Sequence, residues 1–288
     1  MNRNLGARER VKDPQEELLG GGATYVPSDN ILDLSWLVTN YQAQTEFCGE
    51  HAATHFVAVL DHSANGAVNR YSPRYGVNKL KNPASPLYDG FPLEAGTTLP
   101  AIFKWLEQAG VDVFEPLENN VAAPGYFDPS VITPDDDAAA AQHKVSNFAY
   151  DALTFNALCQ AVDEHKAVII LIKCDDGFWR TQTPTFTNPE DGHFIVACGH
   201  STTALQVIDS ADPDPACRIK MIDQKYVTPQ FFIESGTARD VLPPAPSIPP
   251  APTLPSTPTI QQELTWLGQL KVWFNAINEF LKGRNQSQ

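Results

Sequence analysis

Eight prolines in sixteen positions, "PPAPSIPPAPTLPSTP" over residues 243–258, most constrain what this 288-residue chain can fold into. Proline has no amide hydrogen to give a helix or a sheet ladder, so this run belongs to neither. It reads as polyproline II, a semi-rigid spacer of roughly 50 Å at full extension. It splits the chain into a long N-terminal part and a short tail. Residues 1–28 are polar, carry "GGG" at 20–22 and read as a flexible arm; a packed domain is expected over 29–242, a linker over 243–259 and a helical tail over 260–288.

The tail has a helical pattern. Leu267, Leu270, Phe274, Ile277 and Leu281 recur at intervals of 3, 4, 3 and 4, and Trp266, Trp273 and Phe280 flank that seam every seventh residue. This predicts an amphipathic helix over 260–283 with a wide apolar face, opened by Thr259 and closed by Gly283. Such a face calls for a cover: a second copy, a protein partner, or the flank of its own domain. Its polar side is not strongly basic, which disfavours a membrane surface.

Within the domain, helical patterns come first, at 48–60, 99–109 and 152–165, with 120–147 reading as loop. Strand patterns follow: "AVIILIK", "HFIVACG", "ALQVID", "RIKMI" and "QFFIE". Helices and then strands predict an α+β fold in two lobes, helical and antiparallel β, with a cleft between them. The formal charge of −14 argues against nucleic acid as a partner. No apolar run reaches membrane-spanning length, and the N-terminus lacks the apolar core of a secretory signal. The five cysteines are odd in number and widely spaced, which suits free thiols and a reducing compartment, the cytoplasm or a virus particle.

The chemistry concentrates at "YQAQTEFCGEHAATHF", residues 41–56. Cys48 opens a predicted helix, whose unpaired N–H groups and dipole favour a thiolate. Gln42, six residues upstream, can aim its amide at the same point as the Cys48 N–H, giving an oxyanion hole. "EDGHFIVACGH" starts a strand with His193 after Gly192, and "ALQVIDSAD" ends the next with Asp209. Two adjacent antiparallel strands would set Asp209 beside His193, fixing its tautomer. A metal reading of Cys48, His51 and His55 lacks a further ligand, so no metal and no cofactor are called for. "DDD" at 135–137 reads as a solvated loop rather than a calcium site. The other cysteines read as structural.

Gln-x5-Cys at a helix head, Gly-His opening a strand and a polar orienter after it resemble the papain-like cysteine peptidases. In papain relatives the histidine and its orienter follow the cysteine by ~130–150 residues; here His193 and Asp209 follow by 145 and 161. "YSPRYGVNKL" at 71–80 resembles the family's serine-containing stretch, and "YDGFP…LPAIFKWLEQAGV" its glycine loop and next helix. The resemblance covers roughly 30–235 and implies a cysteine endopeptidase acting on polypeptides. It assigns Cys48 as nucleophile, His193 as base, Asp209 as orienter, Gln42 as oxyanion donor, and Gly90 and Gly192 to substrate binding. The chain departs from the family at Gly49, where a tryptophan is usual, at Thr45 for a cysteine, at Asp209 for an asparagine, and in "SAD" for Ser-Trp-Gly. No segment of the usual pro-peptide length precedes the domain. These departures point to a distant bacterial or viral branch. They keep open an inactive papain-fold module docked by its tail on a larger assembly such as a virus particle, and a peptidoglycan hydrolase or isopeptidase. "LLGG" at 18–21 resembles the sites some viral members cut, which suggests autoprocessing.

Overall fold

Cys48–Asn65 forms α1, and Cys48 through Asp61 are all buried, polar Glu50, His51, Thr54 and His55 included. A helix enclosed on every side belongs at the centre of a domain, not on its surface. Gly66 ends it in the left-handed conformation, φ 67°, its N–H returning to His62 O. The computed structural model describes residues 7–8, 25–43, 45–114, 126, 128–150, 154–188 and 191–241. These belong to one unit, Met1–Pro243. The linker, the tail helix and the "LLGG" stretch lie outside the described residues.

Two further helices pack with α1. In α2 (Pro73–Leu80) Ser72 accepts the Tyr75 N–H and proline takes the first turn, so "SP" is a helix start. α3 (Leu99–Gln108) buries Leu99, Ile102, Phe103, Trp105 and Leu106. The expected loop over 120–147 is corrected by α4 (Pro134–Ala140) and by a strand beginning at Val145. Thr133 and Asp136 there make a reciprocal capping box, with Asp135, Asp136 and Asp137 in the first turn. The acidic run is therefore a helix N-terminus, where carboxylates are favoured by the helix dipole. α5 (Phe155–His165) is capped by Thr154, three residues inside the expected start.

The five expected strands appear in order, β5 and β8 longer than expected, after one that was not expected, β3 (Val145–Tyr150): β4 (Val168–Cys174), β5 (Asp191–His200), β6 (Ala204–Ile208), β7 (Ile219–Asp223) and β8 (Phe232–Val241). They form one sheet, in the order β3-β8-β4-β5-β6-β7, antiparallel at every pairing. β8 runs well past the expected "QFFIE" because its polar "SGT" stretch is also interior. A Cβ on Gly236 would stand 2.5 Å from Phe103 Cε2, so glycine lets α3 close onto the sheet. Phe103 seals that contact, stacked on Phe148 at 4.2 Å and tilted on Phe56 at 6.3 Å. Phe103→Ala is expected to destabilise the domain by about 3–5 kcal/mol, measured by urea unfolding.

A second, two-stranded sheet has no counterpart in the sequence reading. β1 (Ala7–Arg8), inside the expected flexible arm, pairs in parallel with β2 (Thr97–Thr98), Ala7 opposite Thr97 and Arg8 opposite Thr98. It also packs against β5.

Candidate active site

The N-terminus of α1 meets the start of β5, and this contact assembles the site. Cys48 is fully buried, and its thiol faces the backbone N–H groups of Phe194 and Gly49. Phe47 caps α1 without a side-chain hydrogen bond. A Cβ on Gly49 would stand 2.5 Å from Thr97 Cγ2 and 2.9 Å from Ile102 Cδ1, which explains why the usual tryptophan is absent. The sequence argument that the helix terminus lowers the thiol is reversed in this state. Burial dominates and pushes Cys48 far up, the charges of Glu50 and Glu46 adding to it, against the two N–H groups that lower it.

His193 is also fully buried, and its Nε2 lies 2.8 Å from Asp209 Oδ1. Strand register explains the pairing. Val196 lies opposite Ile208 in the antiparallel β5–β6 pair, so Asp209, just past β6, is diagonal to His193. Asp209 is completely enclosed. Burial raises its carboxyl, but the His193 hydrogen bond, the charges of His193 and Lys220 and the Ala211 N–H outweigh it and hold it below the usual range. With Nε2 committed to Asp209, Nδ1 has no hydrogen-bond partner.

Gln42 is fixed at both ends of its amide. Oε1 accepts from Ser210 Oγ at 2.7 Å, and Nε2 donates to Thr45 O at 2.9 Å, leaving one N–H. Its backbone N–H donates to Ser210 O at 3.0 Å. Ala43, with φ 54°, turns the chain left-handedly between Gln42 and Cys48. Gln42 and Asp209 are thus neighbours through Ser210, the first residue of "SAD". Glu46, two residues before Cys48, is held up at about 7 by burial and by the charge of Asp191.

The expected residues divide. His193 and Asp209 are joined directly, Gln42 is held on Ser210, the residue after Asp209, and the Cys48 thiol faces the N–H of Phe194, the residue after His193. Gly90 is exposed at φ 83°, with open space where a Cβ would stand. Thr97 occupies the position beside Gly49, and the chain's own β1 lies there. A Cβ on Gly192 would stand 3.0 Å from Ala7 O. The β1–β2 pair thus touches both the residue after Cys48, through Thr97, and the residue before His193, through Ala7.

Several residues around the site were not singled out by sequence. Phe178 and Trp179 shield the imidazole, their ring centroids 6.0 and 5.5 Å from that of His193, in place of the family's tryptophan after the orienter. Lys220 and Asp212 are fully buried beneath Asp209. The available signal was alternation: Lys220 and Ile222 share the inward side of β7, where a lysine is unusual. His55 accepts the Asn40 N–H through Nε2 at 2.8 Å, and burial holds it down to about 3. Among the described residues no group of three or more His, Cys, Asp and Glu is placed to hold a metal, and all five cysteines are free thiols.

No family model matches the sequence. No curated protein matches it either. Solved structures do match. Xylellain, a cysteine protease from Xylella fastidiosa, superposes with a TM-score of 0.66 at 13% identity, over 84% of this chain and 99% of that one. The cysteine protease and lectin-like domains of Cwp84, a surface layer associated protein of Clostridium difficile, give 0.62 at 12%, over 80% of this chain and 54% of that one. Procathepsin B S9 from Trypanosoma congolense gives 0.59 at 9%, over 82% and 86%. At these identities the likeness is one of fold, and it is the papain-like α+β fold expected from the sequence.

Proposed function

We propose that the chain is a thiol-dependent hydrolase, a cysteine endopeptidase acting on polypeptides through Cys48, His193 and Asp209. The observation that carries this reading is the imidazole of His193, held by Asp209 through Nε2 at 2.8 Å with Nδ1 unclaimed, one residue before Phe194, whose N–H the Cys48 thiol faces. The papain-like fold, shared with structures described as cysteine proteases, agrees with it.

In the reaction Nδ1 takes the thiol proton, giving thiolate and imidazolium. The thiolate attacks the peptide carbonyl carbon, an S–C bond forms, and the carbonyl electron pair moves to oxygen. The free Nε2–H of Gln42 and the Cys48 N–H stabilise that oxyanion. The imidazolium gives its proton to the amide nitrogen, the C–N bond breaks, and the amine leaves. His193 then deprotonates water, which attacks the thioester and releases the acid and the thiol.

Incubation with fluorogenic peptides and denatured proteins tests the reading, with purified cell wall as the substrate of the competing hydrolase. Cleavage of new peptide bonds by the native chain and none by Cys48→Ala is expected; full activity in Cys48→Ala would end the scheme. Gln42→Ala should lower kcat by ~10²–10³ with smaller change in KM, read from progress curves.

The complete burial of Cys48 and His193 favours a second reading, a papain-fold module without catalysis, docked through the expected tail helix. A complex that needs residues 260–283 and survives Cys48→Ala, with no turnover under any condition, is its signature.

A further inference from the structure

Beneath Asp209 lies a buried cation that the reaction above does not use. Lys220 has no exposed side-chain surface. Its Nζ donates to Asp212 Oδ2 at 2.7 Å and to Thr181 O at 2.9 Å. It lies 3.5 Å from Asp209 Oδ2, the oxygen turned away from His193. The Phe178 ring covers it, with Nζ 4.9 Å from the centroid, and the same ring packs edge-on to His193. Asp212 is held in turn by the Arg180 N–H at 2.7 Å.

We propose that Lys220 is a positioning residue of the site, acting through Asp209: its ammonium, clamped by Asp212 and Thr181, fixes the Asp209 carboxylate and limits how tightly His193 holds its second proton. The role in turnover rests on the reading of Cys48 and His193 as the catalytic pair. The electrostatic part stands on the geometry alone.

The argument is one of charge in a dry place. Lys220 is the cation placed directly between the Asp209 and Asp212 carboxylates. Without it, the imidazolium faces one more net negative charge. An imidazolium so stabilised forms readily but gives up its proton reluctantly, and the leaving amine needs that proton. The other titratable groups around the pair do not take over this task. From α1, His51 and His55 are held neutral by burial, and the Cys48 thiol is kept protonated by it. From β4, burial likewise pushes the Cys174 thiol up. Arg218 is a second positive charge that acts on Asp209 and Asp212, but from a distance: its hydrogen bonds go to Asp212 O at 3.0 Å and to Thr39 O at 3.4 Å, not to either carboxylate. An asparagine, as in the papain-like family, needs no such counter-charge. A buried aspartate does, so the departure at Asp209 and the buried lysine explain each other.

The test is the proton titration of His193 in the full chain, read by NMR at its Cε1–H in a Cys48→Ala background, so that no turnover is needed. Lys220→Met should raise the midpoint by about one pH unit or more. Lys220→Arg should restore it to within a few tenths, and Asp212→Asn, which removes a negative charge, should lower it. In the enzyme with Cys48 intact, Lys220→Met should move the alkaline limb of kcat/KM upward and lower kcat more than it changes KM. A natively folded Lys220→Met with an unmoved midpoint overturns the proposal. So does a Lys220→Arg midpoint displaced as far as that of Lys220→Met. If Lys220→Met does not fold, Asp212→Asn decides by the sign of its shift, and no shift overturns the proposal. A wild type without turnover but with these shifts sinks the peptidase reading alone; an active wild type with unmoved midpoints sinks the role of Lys220 alone.

Discussion

His193→Ala is expected to lower peptide-bond turnover by on the order of 10⁴-fold or more, about as far as Cys48→Ala. The two residues act as one unit, so the double variant should be little worse than either single one. The loss arises twice. Without the imidazole the thiol has no base, and the tetrahedral intermediate has no acid for its leaving amine. Alkylation of Cys48 against pH, read by intact mass, separates the two causes. A working pair reacts well below the ~8.5 midpoint of a free thiol. His193→Ala should shift that profile toward 8.5 or above, because only the helix N-terminus then remains to favour the thiolate. Coincident profiles in wild type and His193→Ala would make Cys48 an ordinary thiol and remove the pair. Thermal melts guard the comparison, since deleting His193 leaves Asp209 buried with Lys220 as its nearest counter-charge at 3.5 Å.

The parts of this site that follow from local rules were legible in the sequence. Two adjacent antiparallel strands put Asp209 beside His193; the register sets them diagonally, and they meet at 2.8 Å. A helix opening at Cys48 follows from its apolar run, although it continues past the expected 60 to Asn65. What was illegible depends on which distant segments come together. The dipole argument at Cys48 was sound in isolation, but burial among residues from β5 and β2 outweighs it. α4 was misread because a run of aspartates suggests solvent, while its capping box shows only when Thr133 and Asp136 are considered as a pair. Lys220 was legible as an anomaly, a lysine at an inward strand position. Its partners Asp212 and Thr181 come from two separate loops.

Removing residues 1–24 is expected to raise the alkylation rate of Cys48 by about 10²-fold or more near neutral pH. In the full chain β1 lies along β2 and against Gly192, and neither Cys48 nor His193 has exposed surface. A reagent reaches the thiol only in the fraction of molecules where this cover has lifted. Breaking a short strand pairing of roughly 3 kcal/mol leaves about one molecule in a hundred open, which sets the expected factor. The pH dependence has a definite sign. The covered thiol is pushed up by burial, so the covered form keeps its proton to higher pH than the open form does. Cover is therefore favoured below the open thiol's midpoint and weakens as pH rises through it. The full chain should gain reactivity with pH more steeply than the shortened one, and the two curves should converge in alkali. The same shortening should raise peptide turnover, since a substrate strand competes for the edge of β2 that Ala7–Arg8 occupies. Equal alkylation rates at every pH would mean that the domain itself, not the arm, closes over Cys48. A papain-fold site closed by its own core cannot admit a polypeptide, and that result would favour the docked module over the peptidase.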